Sequence, residues 1–289
     1  MQVASGQFHI RFFKPMPTSK SRRNTPPVVG LLTDFGTQDH YVGVMKAAIM
    51  SMSRGAQIID ITHDVQPHAI AQGAYLLWAS YRYFPKGSVL VAVVDPGVGS
   101  DRGIIAAKTD RCTFLAPDNG LLDLVLWQEK LRHVITVSTE KPSVRRLLPK
   151  TVSSTFHGRD IFAPLAAHLA EGIRLENLGR KTAVDWIDPP FVKSLSSGSK
   201  AKVLHIDRFG NVITNIRADL PAVRNRSLRI RIGNRVVTTR VENYVSMIPQ
   251  KPCLIVGSSG LVEIAMTQRS TALFLSVDQS DTLRLESQD

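Results

Sequence analysis

The chain has 289 residues, 43% hydrophobic and 21% charged, which leaves material for a substantial core, excludes disorder throughout and favours two domains over one. Its formal net charge of +12 does not build a nucleic-acid face: Arg11, Lys14, Lys20, Arg22 and Arg23 sit in an acid-free leader, and the other basic residues are scattered among acids and hydrophobics. The two cysteines, Cys112 and Cys253, lie far apart in apolar runs, which excludes a disulfide framework, and no apolar run approaches the roughly 18 residues of a membrane span.

Residues 1–27 read as a flexible basic leader. Pro15 and Pro17 interrupt it, and it carries neither the apolar stretch of a secretory signal nor an amphipathic transit helix. A cytoplasmic protein with no membrane or nucleic-acid partner is expected. From Val28 onward, short β-branched runs alternate with segments of helical period, the pattern of a layered α/β domain with a mostly parallel sheet. VVGLLTDF reads as a strand, HYVGVMKAAIMSM as a helix, QIIDITHD as a strand, and AIAQGAYLLWASYRYF as a helix closed by Pro85 and Gly87. SVLVAVVDP, GIIAAKT and CTFLAPD continue the sheet, LLDLVLWQE returns to helix, HVITVST to strand, and DIFAPLAAHLAEG closes the domain as a helix stopped near Gly172.

This first domain is placed at 28–180 and a linker at 181–200, where Asp188-Pro189-Pro190 and a Ser/Gly-rich stretch replace regular patterning. Residues 201–289 read as a smaller all-β barrel: KVLHID, NVITNI, LRIRIGNRVVTTRV, CLIVGS, LVEIAM, ALFLSV and TLRLES are its strands, with a hairpin turn at Gly233-Asn234.

The P-loop, dinucleotide-binding, nucleophile-elbow and HExxH patterns are absent from the sequence. What stands out is VVDPGVGSDRG, residues 93–103, which sets Asp95 and Arg102 on either side of a glycine-rich turn at a strand end. Further along, STFHGRD adds His157, whose imidazole can move protons near neutrality. Together they point to a device for activating something small, such as water. His63-Asp64 and His157 with Asp160 are weak metal candidates, and no metal is assigned.

TDFG places Asp34 at the end of the first strand, where it can accept from a ribose diol or cap the next helix. APDNG reads as a turn and helix cap. HIDRFGNVITNI offers Asp207 and Asn211 on a loop, and VGSSGLVEIAM offers Ser258; each alone fits a plain turn.

TDFG, VVDPGVGSDRG, FHGRD, FGNVITNI and SSGLVEIA occur in an order and spacing that resembles the S-adenosylmethionine hydroxide adenosyltransferases, relatives of the fluorinases and chlorinases, over residues 28–275. The resemblance implies an N-terminal α/β domain, a C-terminal barrel, and a homotrimer holding S-adenosylmethionine between subunits, with no cofactor. By motif position it implies Asp95, Arg102 and His157 as the catalytic set, where the halogenating relatives have tyrosine at the aspartate and histidine positions. It implies Asp34 on the ribose hydroxyls, Asp207 on the methionine amino group, Ser258 on the amino-acid end, Asn211 on the adenine, and Tyr244 as an aromatic wall. Ser258-Ser259 stands where relatives often have Asn-Ser, and Ile213 where the fluorinase has tryptophan. Hydrolysis to adenosine and methionine by attack at ribose C5′ is the implied reaction. The alternatives are halide transfer and a nonenzymatic S-adenosylmethionine or adenosine-binding protein.

Overall fold

The computed structural model describes residues 25–129, 131, 133–182, 191–195, 198–279 and 281–287. Leader residues 1–24, and 183–190 and 196–197 of the linker, lie outside the described residues. In chain order the elements begin with β1 (Val28–Thr33), α1 (Tyr41–Met52), β2 (Gln57–Thr62), α2 (Ile70–Ser80), β3 (Val89–Val93), β4 (Ile104–Lys108) and β5 (Thr113–Pro117). Next come α3 (Asp123–Gln128), β6 (His133–Val137), the single turn α4 (Pro142–Arg145), α5 (Ala163–Ala170) and β7 (Gly179–Lys181). The remainder is β8 (Lys200–Ile206), β9 (Val212–Arg217), the single turn α6 (Pro221–Arg224), β10 (Leu228–Ile232), β11 (Arg235–Val237), β12 (Cys253–Val256), β13 (Leu261–Ala265), α7 (Thr271–Leu275) and β14 (Thr282–Ser287).

By packing, the chain divides into two compact units, one of Met1–His68, Tyr81–Asn119 and Lys130–Ala183, the other of Ala69–Ser80, Gly120–Glu129 and Val184–Asp289. The first unit holds a seven-stranded sheet in the order β2-β1-β3-β5-β4-β6-β7. Its β2, β1, β3 and β5 run parallel, and β4 is antiparallel to both β5 and β6, as is β7 to β6. The reversal has a local cause: Thr109 N–H donates to Cys112 O at 3.0 Å, closing a hairpin that a parallel crossover could not make. All five residues of β3 are buried, as a strand covered on both faces requires. Val29, Leu31, Val91 and Leu115 of the sheet pack with Met45 and Ile49 of α1 and Leu165 and Leu169 of α5 in one core. At 25–30 cal/mol per Å² of apolar surface, each such side chain contributes about 1.5–3 kcal/mol.

The second unit holds an antiparallel sheet in the order β11-β10-β14-β8-β9-β13-β12. Beyond β11 the chain turns back so that Leu254 N–H donates to Thr239 O at 2.7 Å and Val241 N–H to Leu254 O at 3.0 Å, bringing the two edges together into a nearly closed barrel. Closure satisfies edge groups that would otherwise invite pairing with another chain. The β10–β11 hairpin turns at Gly233-Asn234, as its sequence predicts.

Two features differ from the sequence reading. ALFLSV, expected as a strand, contains helix α7: Ser270 Oγ accepts from Leu273 N–H at 3.2 Å, and Ser276 takes a left-handed conformation that ends the helix. A short apolar run carries no decisive period, and the serine cap decides it. Helices α2 and α3, read as part of residues 28–180, group with the second unit. There Trp78 of α2 and Trp127 of α3 lie 5.5 and 5.0 Å, centroid to centroid, from the Phe191 ring. Both cysteines are buried and neither forms a disulfide. Among the described residues no helix is long and apolar enough to cross a membrane.

Candidate active site

Asp95 follows the end of β3, and the turn after it, Pro96–Asp101, brings Arg102 back to the same carboxylate. Arg102 Nε donates to Asp95 Oδ1 at 2.9 Å and Oδ2 at 3.0 Å, and Nη2 also donates to Oδ2. The side chains are 5% and 11% exposed, so the pair is desolvated and held by charge-assisted bonds. Arg102 Nη2 reaches 2.9 Å from His157 Nδ1. A guanidinium only donates, so Nδ1 accepts and the imidazole carries its proton on Nε2. Burial, then the Arg102 charge, push the His157 pKa below its ordinary value, with Asp95 and Asp160 pulling it upward. The result is a neutral imidazole in a fixed tautomer.

Two local devices bring the loops together. Gly99 has φ +80°, and a Cβ there would lie 2.3 Å from Ser154 O, so only glycine lets the 95–102 turn sit against the loop between α4 and α5 that carries His157. His157 then precedes a π-helical turn, Gly158–Phe162, that leads into α5. Asp160, buried at 3%, accepts from Ser153 N–H at 2.8 Å and from Arg159 Nε at 2.6 Å, which ties that turn to the loop before it. Phe35, Tyr41 and Phe156 form an edge-to-face aromatic group, and Arg159 stacks over Phe156.

Asp34 sits in the turn after β1, where its Oδ2 accepts from His68 N–H at 2.9 Å. His68 adopts φ +68°, a strained geometry for a residue with a side chain. His63, considered beside Asp64 as a metal ligand, is instead buried between Thr33 and Asp60, while Asp64 is exposed.

In the second unit, Asp207 and Asn211 form one loop: Asp207 Oδ1 accepts from Phe209 and Asn211 N–H at 2.9 and 2.8 Å, and Oδ2 from Asn211 Nδ2 at 2.9 Å. Tyr244 OH donates to Glu263 Oε2 at 2.9 Å. Burial above all, then the charges of Glu263 and Asp207, push the Tyr244 phenol up to about 12. Burial likewise raises Glu263, against the Tyr244 bond and with help from Asp207. Tyr75 stacks on His205 at 5.5 Å, and Asp207 acts electrostatically on both. A Cβ on Gly257 would lie 1.6 Å from Glu263 Oε1, so the carboxylate rests directly on the turn that carries exposed Ser258.

Arg102 therefore contacts both Asp95 and His157 within the first unit, with Asp34 on another turn of it. Asp207, Asn211, Tyr244 and Ser258 belong to the second. The sequence reading passed over Glu263, Tyr75 and His205. An acid inside the apolar run LVEIAM was the signal for Glu263, since a carboxylate is rarely buried without a partner. Tyr75 and His205, some 130 positions apart in the chain, gave none.

Residues 29–179 match the model of the SAM hydroxide adenosyltransferase N-terminal domain, and residues 201–284 that of the C-terminal domain. An (R)-S-adenosyl-L-methionine hydrolase of Thermus thermophilus is 35% identical over 260 residues, covering 89% of this chain and 98% of the relative. A fluorinase of Actinoplanes is 28% identical over 226 residues, covering 68% and 74%. A crystal structure of a conserved protein from Thermotoga maritima superposes with a TM-score of 0.79 at 34% identity, covering 89% of this chain and 100% of that one.

Proposed function

The chain belongs to the SAM hydroxide adenosyltransferase family, and from that premise we propose that it hydrolyses S-adenosyl-L-methionine to adenosine and L-methionine. The observation that carries the reading is the contact of Asp95, Arg102 and His157 around a neutral imidazole. Water oxygen attacks ribose C5′, the C5′–S bond breaks, and its electron pair neutralises the sulfonium as methionine leaves. The proton lost by the water goes to His157 and then to solvent.

Acceptance at Nδ1 requires the water to take Arg102's place there. Arg102, still anchored by Asp95, then faces the oxygen and favours its hydroxide character. A positioned base of this kind is worth about 10²–10⁴ in rate. Charge is annihilated in the step, so a pocket that excludes bulk water favours it.

Asp34 takes the ribose hydroxyls, Asn211 the adenine, and Ser258 the amino-acid end of the substrate. Asp207 Oδ2 receives the methionine ammonium beside Asn211, and Tyr244 supplies the aromatic wall. Holding the substrate at both ends aligns oxygen, carbon and sulfur. The hydrolase relative's name specifies the (R) sulfonium, and the same preference is part of the proposal. With both ends anchored, the epimers differ in the side of sulfur that carries the methyl group. Halide transfer is the weaker reading, since the fluorinase relative is less similar and covers less of the chain. Homotrimeric assembly in the cytoplasm belongs to the same proposal and is open to sedimentation and localisation measurements.

The test is incubation with separated (R) and (S) epimers in H₂¹⁸O, with and without chloride or fluoride. Adenosine labelled at its 5′ oxygen, formed faster from the (R) epimer, is expected. Unlabelled adenosine, a 5′-halo product, or no product above the enzyme-free control would overturn the proposal.

A further inference from the structure

The turn that carries Asp34 is tied from behind by a chain of side chains that the reaction does not use. Thr33 Oγ1 accepts from the Phe35 backbone N–H at 3.2 Å, closing a turn around Asp34, and lies 2.8 Å from His63 Nδ1. A carboxylate only accepts, and Asp60 Oδ1 lies beside Nε2, so the imidazole carries its proton on Nε2 and its Nδ1 accepts from the Thr33 hydroxyl. His63 Nε2 lies 3.0 Å from Asp60 Oδ1, an ion-pair distance without the alignment of a hydrogen bond, and Asp60 Oδ2 receives Lys46 Nζ at 2.6 Å. Against desolvation, which pushes it up, Lys46 and His63 together hold the Asp60 carboxyl below its ordinary value. On the other side of Asp34, Gly36 N–H donates to His63 O at 2.8 Å. Thr33 is fully buried and His63 is 4% exposed, so water does not compete for these contacts.

We infer that His63 is a positioning residue for ribose recognition: gripping Thr33 with its ring and Gly36 with its carbonyl, it fixes the Asp34 carboxylate in the orientation that receives a vicinal diol. The inference rests on the reading above that Asp34 holds the ribose hydroxyls. A carboxylate on an untethered turn would have to be ordered when ligand binds, and that ordering weakens binding; a turn clamped on both sides has been ordered by folding.

The test is calorimetric titration of the full chain with adenosine and with 2′,3′-dideoxyadenosine, which needs no turnover. The wild type is expected to prefer adenosine by about tenfold or more, the range set by hydrogen bonds to a charged acceptor. His63→Leu and Thr33→Val should each cut that preference by about tenfold, and the double variant should cut it no further, because both break one connection. His63→Asn, which returns an acceptor near the Nδ1 position, should restore most of it. A general packing defect would weaken both nucleosides alike and leave their ratio intact. Unchanged ratios in Thr33→Val and His63→Leu overturn the inference, and Thr33→Val decides alone if His63→Leu does not fold. Asp34→Asn separates the two levels: if it keeps the wild-type ratio, the ribose reading fails and the inference falls with it. If it loses the ratio while the other variants keep it, the inference alone falls.

Discussion

Replacing Asp95 by asparagine preserves side-chain shape and removes the charge that anchors Arg102. In the native arrangement Arg102 Nε lies 2.9 and 3.0 Å from the two carboxylate oxygens while Nη2 also donates to Oδ2, with side-chain exposures of 5% and 11%. An amide offers one oxygen and turns an NH₂ toward the guanidinium, so one contact becomes donor against donor and the positive charge stays buried without its counterion. Removing one partner of a buried pair costs about 3–5 kcal/mol, and the acceptor that remains should lower the figure to about 2–4 kcal/mol. For a chain of this size that is a melting-temperature drop of roughly 3–7 °C. Arg102 is then no longer held against His157, and turnover should fall by about 10²–10³ with KM little changed, since Asp95 is not among the substrate anchors. Urea denaturation and chromatographic assay of adenosine measure the two effects. An Asp95→Asn protein that melts with the wild type and turns over within about threefold of it would refute the argument.

The pH dependence follows from the depressed His157 pKa: the imidazole stays neutral as pH falls until that value is crossed, so the acid limb of kcat/KM should lie below about 6.5. In Arg102→Gln the limb should move to higher pH, because a repelling charge is gone; a shift to lower pH would contradict the assignment. Gly99→Ala places a Cβ against Ser154 O at φ +80° and should cost about 2 kcal/mol or more while separating Arg102 from His157, seen as parallel losses in melting temperature and turnover. Tyr244→Phe keeps the ring and removes the donor to Glu263, so KM should rise by about tenfold with kcat preserved in steady-state kinetics.

What the sequence disclosed was local. Asp95 and Arg102 lie seven positions apart across one turn, so a single motif displayed their pairing, and the strands of the first sheet announced themselves as β-branched runs. The contact with His157 spans fifty-five positions and was reached by family resemblance; its physical basis, the missing Cβ of Gly99 against Ser154, is a tertiary fact. The tie between Thr33 and His63 spans thirty, and a buried histidine reads in sequence as a metal candidate as readily as a clamp. Helices α2 and α3 gave their type through period, yet the partner for Trp78 and Trp127, the Phe191 ring, lies far along the chain. In α7 the apolar run was read and its serine cap was not.

The backbone passes from one compact unit to the other after residues 68, 80, 119, 129 and 183. An excised fragment beginning at Phe191 would therefore leave behind Gln72 and Tyr75, which meet His205, and Trp78 and Trp127, which meet Phe191. Such a fragment would carry naked aromatic surface into water. Interleaving of this kind makes the two halves poor candidates for separate expression or domain shuffling, however clean the seam looks in the composition of the chain.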